Sequence, residues 1–264
     1  AGLLCIDLAA IPAAQDVEGK YLMRGNNWWR YALSEEGAEI IHDALRERNV
    51  EPVFQSGVDH FEVDDDGRVT TAVDPNGEAF DADFVGIAIG LDFNTEILRD
   101  TPIECDDGII VDEYLRTNHD DVFAAGDITR FNDLILGERG QNGAWGSAKE
   151  QGSIAAQNMV EYGVEPFEWV SSYSITHFDF PFLSFGHPTL GDDEAEAKYS
   201  DTEWRRLAFK DGRIVGGVLI GDLSPQTKYK QLMREQRRVA DQKDVLMQQT
   251  FELEDLDAPE TPAE

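Results

Sequence analysis

The segment at residues 108–130 contains the residues whose types and spacing are best suited to holding a ligand. An apolar run within it predicts a buried strand that ends in Ala124, Ala125, Gly126 and Asp127. Ligands of open α/β sheets collect at the carboxyl ends of the strands. Gly126 lets a ligand approach the backbone closely, and Asp127 is an acceptor for a sugar-like hydroxyl. The pattern therefore predicts a binding site for a hydroxyl-bearing ligand.

The same segment resembles a known flavoprotein family. Its pattern D-G-x-I-x-V-D…R-T…V-F-A-A-G-D is similar to the second flavin-contacting segment of the pyridine nucleotide-disulfide oxidoreductase superfamily, whose members have two dinucleotide-binding folds. The resemblance implies that Gly126 lies at FAD and that Asp127 holds its ribitol.

A second motif follows in the predicted helix at 145–161. Trp145, Ala148, Gln151 and Gly152 have the W-x-x-A-x-x-Q-G spacing and resemble the ferredoxin-reductase, rubredoxin-reductase and NADH-oxidase-like branch of that family. The resemblance implies that Trp145 and Ala148 also contact FAD. A helix N-terminus has a partial positive charge and free N–H groups, so at the pyrimidine edge it would stabilise the anionic reduced ring.

The first ninety residues resemble the NAD(P)H-binding domain of the same family, and the resemblance begins after the start of that domain. Residues 2–9 match the end of a G-x-G-x-x-G/A fingerprint and the acid-Leu-Ala that follows it. The resemblance implies NAD(P) contacts for Gly2, Leu3, Asp7 and Gly90. No residues match the first glycine, the strand before it, or the βαβ half that holds the ADP part of FAD. We therefore expect the chain to be the C-terminal two-thirds of such a protein.

The choice between NAD and NADP depends on the end of the second strand of that domain. An acid there favours NAD by binding the ribose 2′-hydroxyl, and an Arg accepts a 2′-phosphate. Met23 occupies the position of the acid and Arg24 follows it. Because the family also has Arg there in NAD enzymes, both coenzymes stay open.

Hydrophobic spacing and turn residues predict the elements that must position these residues. The helices are expected at 2–11, stopped by Pro12, at 35–45 after an N-cap at Ser34, at 145–161 and at 226–247. The strands are expected at 20–24, at 51–55, and within 60–73, which has a D-D-D-G turn and is followed by a second turn at Asn76-Gly77, so that these segments form a meander. Further strands are expected at 84–90, buried on both faces, and at 108–117, 121–127, 204–210 and 213–221.

These elements predict an α/β protein, an incomplete two-dinucleotide-binding-domain (Rossmann-like) flavoprotein with a C-terminal α+β domain. The expected domains are a truncated NAD(P)-binding domain at 1–92, the second half of an FAD-binding domain at 93–166, and a C-terminal domain at 167–247. The motifs at 178–186 and 211–222 resemble the C-terminal domain of rubredoxin-reductase and nitrite-reductase-like flavoproteins. The acidic tail at 248–264 is expected to be disordered.

The resemblance implies an FAD-dependent NAD(P)H oxidoreductase that passes hydride from nicotinamide to flavin and electrons to an acceptor that the sequence does not identify. No catalytic side chain is assigned. The alternative is a non-catalytic remnant of a truncated or split gene that acts only through association. A chain without the upstream half is expected to purify colourless and to associate as a homo-oligomer or with an N-terminal partner chain.

Composition excludes several other classes. The 53 Asp and Glu exceed the 22 Lys and Arg by 31, so nucleic-acid binding is not expected. No apolar run is long enough to span a membrane, and the start lacks the basic flank of a secretory signal, so a cytoplasmic location is expected. The five His and two Cys lack metal-site spacing and C-x-x-C pairing, so no metal is expected.

The charge also predicts salt dependence. Only seven of the basic residues are Lys, and carboxylates occur along the whole chain, a composition that we interpret as halophilic. The repulsion between these charges is screened within about 3 Å at 1 M salt. We predict that the fold loosens on dialysis below about 0.1 M KCl and recovers in molar KCl. Melting temperatures followed by circular dichroism test this, and a melting temperature that is independent of KCl contradicts the halophilic interpretation.

Overall fold

The computed structural model describes residues 3–175, 178 and 180–256. Its helices are α1 (Leu3–Ala14), α2 (Glu35–Arg46), α3 (Trp145–Val160), α4 (Gln226–Arg234) and α5 (Lys243–Leu246). Its strands are β1 (Gly19–Leu22), β2 (Val50–Val53), β3 (His60–Val63), β4 (Val69–Val73), β5 (Ala79–Asp81), β6 (Ile109–Ile110), β7 (Thr129–Asn132), β8 (Arg139–Gly140), β9 (Ser172–Ile175), β10 (Phe182–Gly186), β11 (Asp193–Ser200), β12 (Glu203–Lys210) and β13 (Arg213–Ile220). Short 3₁₀ turns occur at Thr95–Leu98, Ala240–Gln242 and Leu253–Asp255.

The N-terminal unit combines α1 and α2 with a parallel pair of strands, β1 and β2. The predicted helix start is confirmed, because the Ser34 hydroxyl accepts a hydrogen bond from the Gly37 N–H and caps α2. Glu35 and Glu36 in the first turn complement the positive end of the helix dipole. The predicted meander is also confirmed as β3, β4 and β5 in one antiparallel sheet.

The C-terminal unit is an antiparallel sheet with the strand order β11-β12-β13-β10-β9. The central strand, β13, is buried at every position after Arg213, as its unbroken apolar sequence requires when both faces of the sheet are covered. The predicted hairpin between β12 and β13 is confirmed. Its turn residues Asp211 and Gly212 both have positive φ, at 52° and 77°.

One face of this sheet shares a single apolar core with the N-terminal unit. Trp28 is fully buried and packs edge-on against Phe182 of β10, with ring centroids 5.5 Å apart. On β12, which is separated from β10 by β13, Trp204 packs against Gly37 of α2. The opposite face of the sheet packs on α4 and on Phe251 from the chain's end. The N-terminal and C-terminal units are therefore joined by hydrophobic packing.

Two predicted strands near the ligand site are wrong. Residues 84–90 form no strand, and Ile89 is 91% exposed. In the part of the chain that the structure describes, β1 pairs only with β2, so no neighbouring strand satisfies the 84–90 backbone. Residues 121–127 likewise contain only an isolated bridge from Phe123 to Arg116, and the 108–117 strand is reduced to β6.

Three helix and tail boundaries also differ from prediction. Helix α1 continues past Pro12, because a proline in the last turn removes only one hydrogen bond. The helix expected at 226–247 ends at Arg234, because the Val239 N–H donates to the Gly212 carbonyl and the Val239 side chain is fully buried. The tail at 248–256 is packed, with Phe251 1% exposed, and residues 257–264 lie outside the described residues.

The contact between Gly37 and Trp204 generates a test of the shared core. A Cβ at Gly37 would lie 2.9 Å from the Trp204 ring, whereas a Cβ at Gly152, also in a helix, meets nothing within 4 Å. We predict that Gly37→Ala lowers the free energy of unfolding by about 1 to 3 kcal/mol through overpacking. Gly152→Ala is the matched control and is expected to raise it by about 0.5 to 1 kcal/mol. Urea unfolding in molar KCl measures both, and equal effects would contradict the packing account.

Candidate functional site

The loop at 124–127 has the open backbone expected of a ligand site. Gly126 has φ of +98°, a left-handed conformation that favours glycine. A Cβ built at Gly126 would meet no atom within 4 Å. The loop therefore turns at a position where the backbone faces open space.

A buried glutamine of α3 holds this loop in place. The Gln151 side-chain oxygen accepts hydrogen bonds from the Gly126 N–H at 2.8 Å and from the Thr129 hydroxyl at 2.6 Å. Its amide nitrogen donates to the Ser147 hydroxyl one helical turn earlier, at 3.1 Å. Because Gln151 is fully buried, these bonds fix the position of the loop relative to α3.

The carboxylate of Asp127 has an unused acceptor. Its Oδ1 atom is buried, and nothing in residues 3–175, 178 or 180–256 donates a hydrogen bond to it. A buried acceptor without a donor costs about 1 to 3 kcal/mol. The Asp127 carbonyl is already held, since it accepts from the Gln141 side-chain amide at 3.2 Å. The side chain is thus suited to accept a hydrogen bond from a ligand hydroxyl.

The N-terminus of α3 lies beside the same loop. Ala144 is its N-cap and provides no side-chain hydrogen bond, and the first turn contains no acidic residue. Its free N–H groups and partial positive charge are therefore available to an anionic group. Trp145 is 81% exposed, with the Lys149 ammonium 5.5 Å from its ring centroid. Ala148 is partly buried, one turn further along.

Sequence reasoning missed a donor at this position. The Trp169 ring approaches Gly146 in the first turn of α3, 3.7 Å from where a Cβ would lie. Its Nε1 atom is buried without an acceptor among the described residues. The roles of Thr129 and Ser147 in fixing the loop were missed as well. None of these residues belongs to a motif, so only packing reveals them.

The residues assigned to NAD(P) lie together around α1. Leu3 begins the helix, and Gly2 lies outside the described residues. The Cys5 thiol donates to the Ala88 carbonyl at 2.8 Å, which places the start of α1 beside the extended segment ending at Gly90. Gly90 has φ of +137° and open space at its Cβ position.

The carboxylate of Asp7, by contrast, is engaged within the protein. It accepts a hydrogen bond from the Tyr173 hydroxyl of β9. Burial and this carboxylate together raise the pKa of Tyr173, so the phenol stays protonated and donates. Asp7 therefore links α1 to the C-terminal sheet.

The two sets of residues are neighbours. A Cβ on Gly143, just before α3, would lie 2.7 Å from the Leu91 side chain, which follows Gly90. The structure therefore places the segment after Gly90 next to the residues that precede α3. At the end of β1, Met23 is buried in the core, whereas Arg24 is exposed.

Other kinds of site receive no support from the described residues. They include no group of three or more His, Cys, Asp or Glu side chains placed to hold a metal ion. The helices described are also too short or too polar to cross a bilayer. His42 packs in the core, where its Nε2 accepts from the Trp28 N–H at 3.1 Å.

Two family models match this chain, one in its N-terminal part and one in its C-terminal part. Residues 1–153 match the family model described as pyridine nucleotide-disulphide oxidoreductase, and residues 174–237 match the rubredoxin NAD+ reductase C-terminal domain. An NADH oxidase of Enterococcus faecalis is 34% identical over 207 residues, which are 71% of this chain and 46% of that protein. A pyridine nucleotide-disulfide oxidoreductase domain-containing protein of Drosophila melanogaster is 30% identical over 182 residues, 60% of this chain and 37% of that protein.

Solved structures show the same fold. A ferredoxin reductase from Rhodopseudomonas palustris superposes with a TM-score of 0.83 at 18% identity, over 97% of this chain and 62% of that one. The NADH-bound, water-forming NADH oxidase from Lactobacillus brevis has a TM-score of 0.76 at 19% identity, over 98% and 61%. The predicted α/β flavoprotein fold is confirmed. The chain spans less than half the length of the two curated relatives.

The Gln151 hydrogen bonds can be tested directly. Gln151→Ala removes the acceptor of the Gly126 N–H and the Thr129 hydroxyl, so we predict a loss of about 1 to 3 kcal/mol of stability and faster amide exchange at Gly126. Gln157→Ala, an exposed glutamine on the same helix, is the matched control and should change stability by less than about 0.5 kcal/mol. Hydrogen exchange and urea unfolding measure the two effects. Unchanged exchange at Gly126 would mean that Gln151 does not fix the loop.

Proposed function

This chain belongs to the pyridine nucleotide-disulphide oxidoreductase family, and from this we propose that it takes part in FAD-dependent oxidation of NAD(P)H. In this proposal Gly126, Asp127, Trp145 and Ala148 contact FAD. Gly2, Leu3, Asp7 and Gly90 lie on the nicotinamide coenzyme side.

The observation that supports the flavin assignment most strongly is the buried, unsatisfied Oδ1 of Asp127 beside the open backbone at Gly126. A ribitol hydroxyl is a donor of the right chemistry for this acceptor. The uncapped first turn of α3 adds free N–H groups on the same side, and no carboxylate in that turn opposes a negative charge. The residues present therefore fit a flavin.

Each part of the site has a separate task in this proposal. Asp127 binds the ribitol, and Gln151 keeps the Gly126 backbone oriented toward it. The N-terminus of α3 stabilises negative charge on the pyrimidine side. When bound, the flavin supplies the redox chemistry, accepting hydride from a reduced nicotinamide. The contact between Leu91 and Gly143 keeps the two ligand regions adjacent.

The proposal does not name the molecule that accepts electrons from the flavin. The similar proteins include both a ferredoxin reductase and an NADH oxidase, so they do not select one acceptor.

We further propose that the chain needs additional polypeptide to hold the ADP part of FAD. This is supported by the fraction of each relative's length that the chain covers, which is at most 46% for the two curated proteins. A salt-rich cytoplasm as its location is also proposed, supported by the net charge of −31 and only seven Lys.

Flavin titration tests the assignment of Asp127. Because the residues proposed to hold flavin would contact its ribitol and ring side, FAD and FMN should bind this chain equally, and ADP should not bind. Asp127→Ala should cost about 1.5 to 3 kcal/mol of flavin affinity, the value expected for a hydrogen bond to a charged group. Quenching of flavin fluorescence in molar KCl measures this.

Asp100→Ala, an exposed carboxylate in another loop, is the matched control and should leave flavin affinity unchanged. Equal loss in both variants would indicate a general charge effect. No binding of FAD or FMN by the chain would favour the remnant that acts only through association, and equal retention by Asp127→Ala would remove Asp127 from the site.

A further inference from the structure

The basic residues of this acidic chain are concentrated in one region. Residues 204–243 contain ten of the 22 Lys and Arg but only four of the 53 Asp and Glu. This region therefore has a net charge of +6, and the remainder of the chain has −37. Three of the ten cations, Arg206, Lys228 and Lys243, pair with carboxylates outside this range, so a local positive field arises only where the remaining cations lie close together.

Strand pairing places three of these cations side by side. Lys210 and Arg213 are directly opposite each other at the end of the β12–β13 hairpin. Arg213 is in turn directly opposite Arg238 in an antiparallel bridge. Directly opposite residues present their side chains on the same face of a sheet, so the three form a row, which we call the cationic row. All three are exposed.

Like charges that face each other across strands are destabilising. No carboxylate within the described ranges forms an ion pair with Lys210, Arg213 or Arg238, although Asp211 lies in the turn between the first two. Elsewhere cations do have acidic partners: Lys243 pairs with Asp193 at 2.5 Å and Lys228 with Glu252 at 2.8 Å.

The row is also held in shape by a neutral side chain. The Arg213 guanidinium donates to the Gln236 side-chain oxygen at 3.0 Å. Gln236 in turn donates to the Leu134 carbonyl at 3.2 Å, which ties the row to the turn between β7 and β8. The Arg238 guanidinium lies 3.4 Å from where a Cβ of Gly212 would be. Arg213, held in this way, loses less side-chain freedom on binding than a free cation does.

We propose that the cationic row is a docking surface for the carboxylate-rich face of an acidic partner protein. Charge complementarity selects this occupant, because the net charge of −37 outside residues 204–243 repels an acidic protein and the row attracts it. A two-fold contact that set one row directly against the other would be repulsive, so a second copy of this chain could occupy the row only through its own acidic surface. The inference does not depend on the flavin chemistry.

Carbodiimide cross-linking to a glutamate peptide of about twelve residues, in about 0.5 M KCl, tests the surface on the unmodified chain. The activated carboxylates should couple to Lys210 in preference to the exposed Lys149, as mapped by mass spectrometry. Labelling spread over the lysines according to their exposure would overturn the proposal.

Affinity of variants provides the second measurement. Arg213→Gln/Arg238→Gln should weaken binding of the labelled glutamate peptide by about tenfold, and Arg68→Gln/Arg99→Gln, with the same charge change at exposed positions, by less than about twofold. Circular dichroism confirms that each variant is folded. Equal weakening in the two double variants would overturn the proposal. So would tighter binding of an oligothymidylate of equal charge, which would assign the row to phosphates.

Discussion

The apolar core shared between the N-terminal unit and one face of the C-terminal sheet is the contact on which the other features depend. Trp28, Phe182 and Trp204 are almost fully buried in it, and Gly37 is small enough to let α2 approach the Trp204 ring. Because α1 packs on the same core and hydrogen-bonds through Asp7 to β9, the coenzyme candidates are positioned by a sheet more than 160 residues later in the chain. The nicotinamide side of the site is therefore not a property of the N-terminal unit alone.

The flavin side is built by a different principle. Ala124 packs against an apolar cluster that includes Ile154 and Ala155 of α3. The turn at Gly126 is then set by hydrogen bonds to one buried glutamine of the same helix. That arrangement orients the Gly126 backbone and leaves an acceptor of Asp127 and a donor of Trp169 unused. Polar groups left unsatisfied in a buried position destabilise the free protein, and a ligand that satisfies them regains that free energy. The site is organised before any ligand arrives.

The charge distribution affects which molecules can approach the protein surface. A surface with a net charge of −31 disfavours close approach by acidic molecules at low ionic strength and is screened at high ionic strength. Under that screening, only cations that are close together and already oriented retain an attraction. In the cationic row, strand pairing brings the three cations together and Gln236 orients Arg213.

Motifs that resemble a known family identified the family, and local sequence signals predicted the capped helix α2 and the Asp211-Gly212 hairpin, because each depends on residues close in sequence. The assignment of individual residues to flavin and nicotinamide stays a prediction. The sequence did not determine whether 84–90 and 121–127 would be strands, since a strand requires continuous pairing with a neighbour. Within the described residues 84–90 pairs with no strand, and 121–127 forms only the bridge from Phe123 to Arg116. It also did not show that Phe251 and Val239 would be buried, which ended α4 early and ordered residues 248–256. The role of Gln151, the unused donor of Trp169 and the alignment of Lys210, Arg213 and Arg238 were decided by the tertiary structure alone, because each depends on groups that only packing and strand pairing bring within a few ångströms of one another.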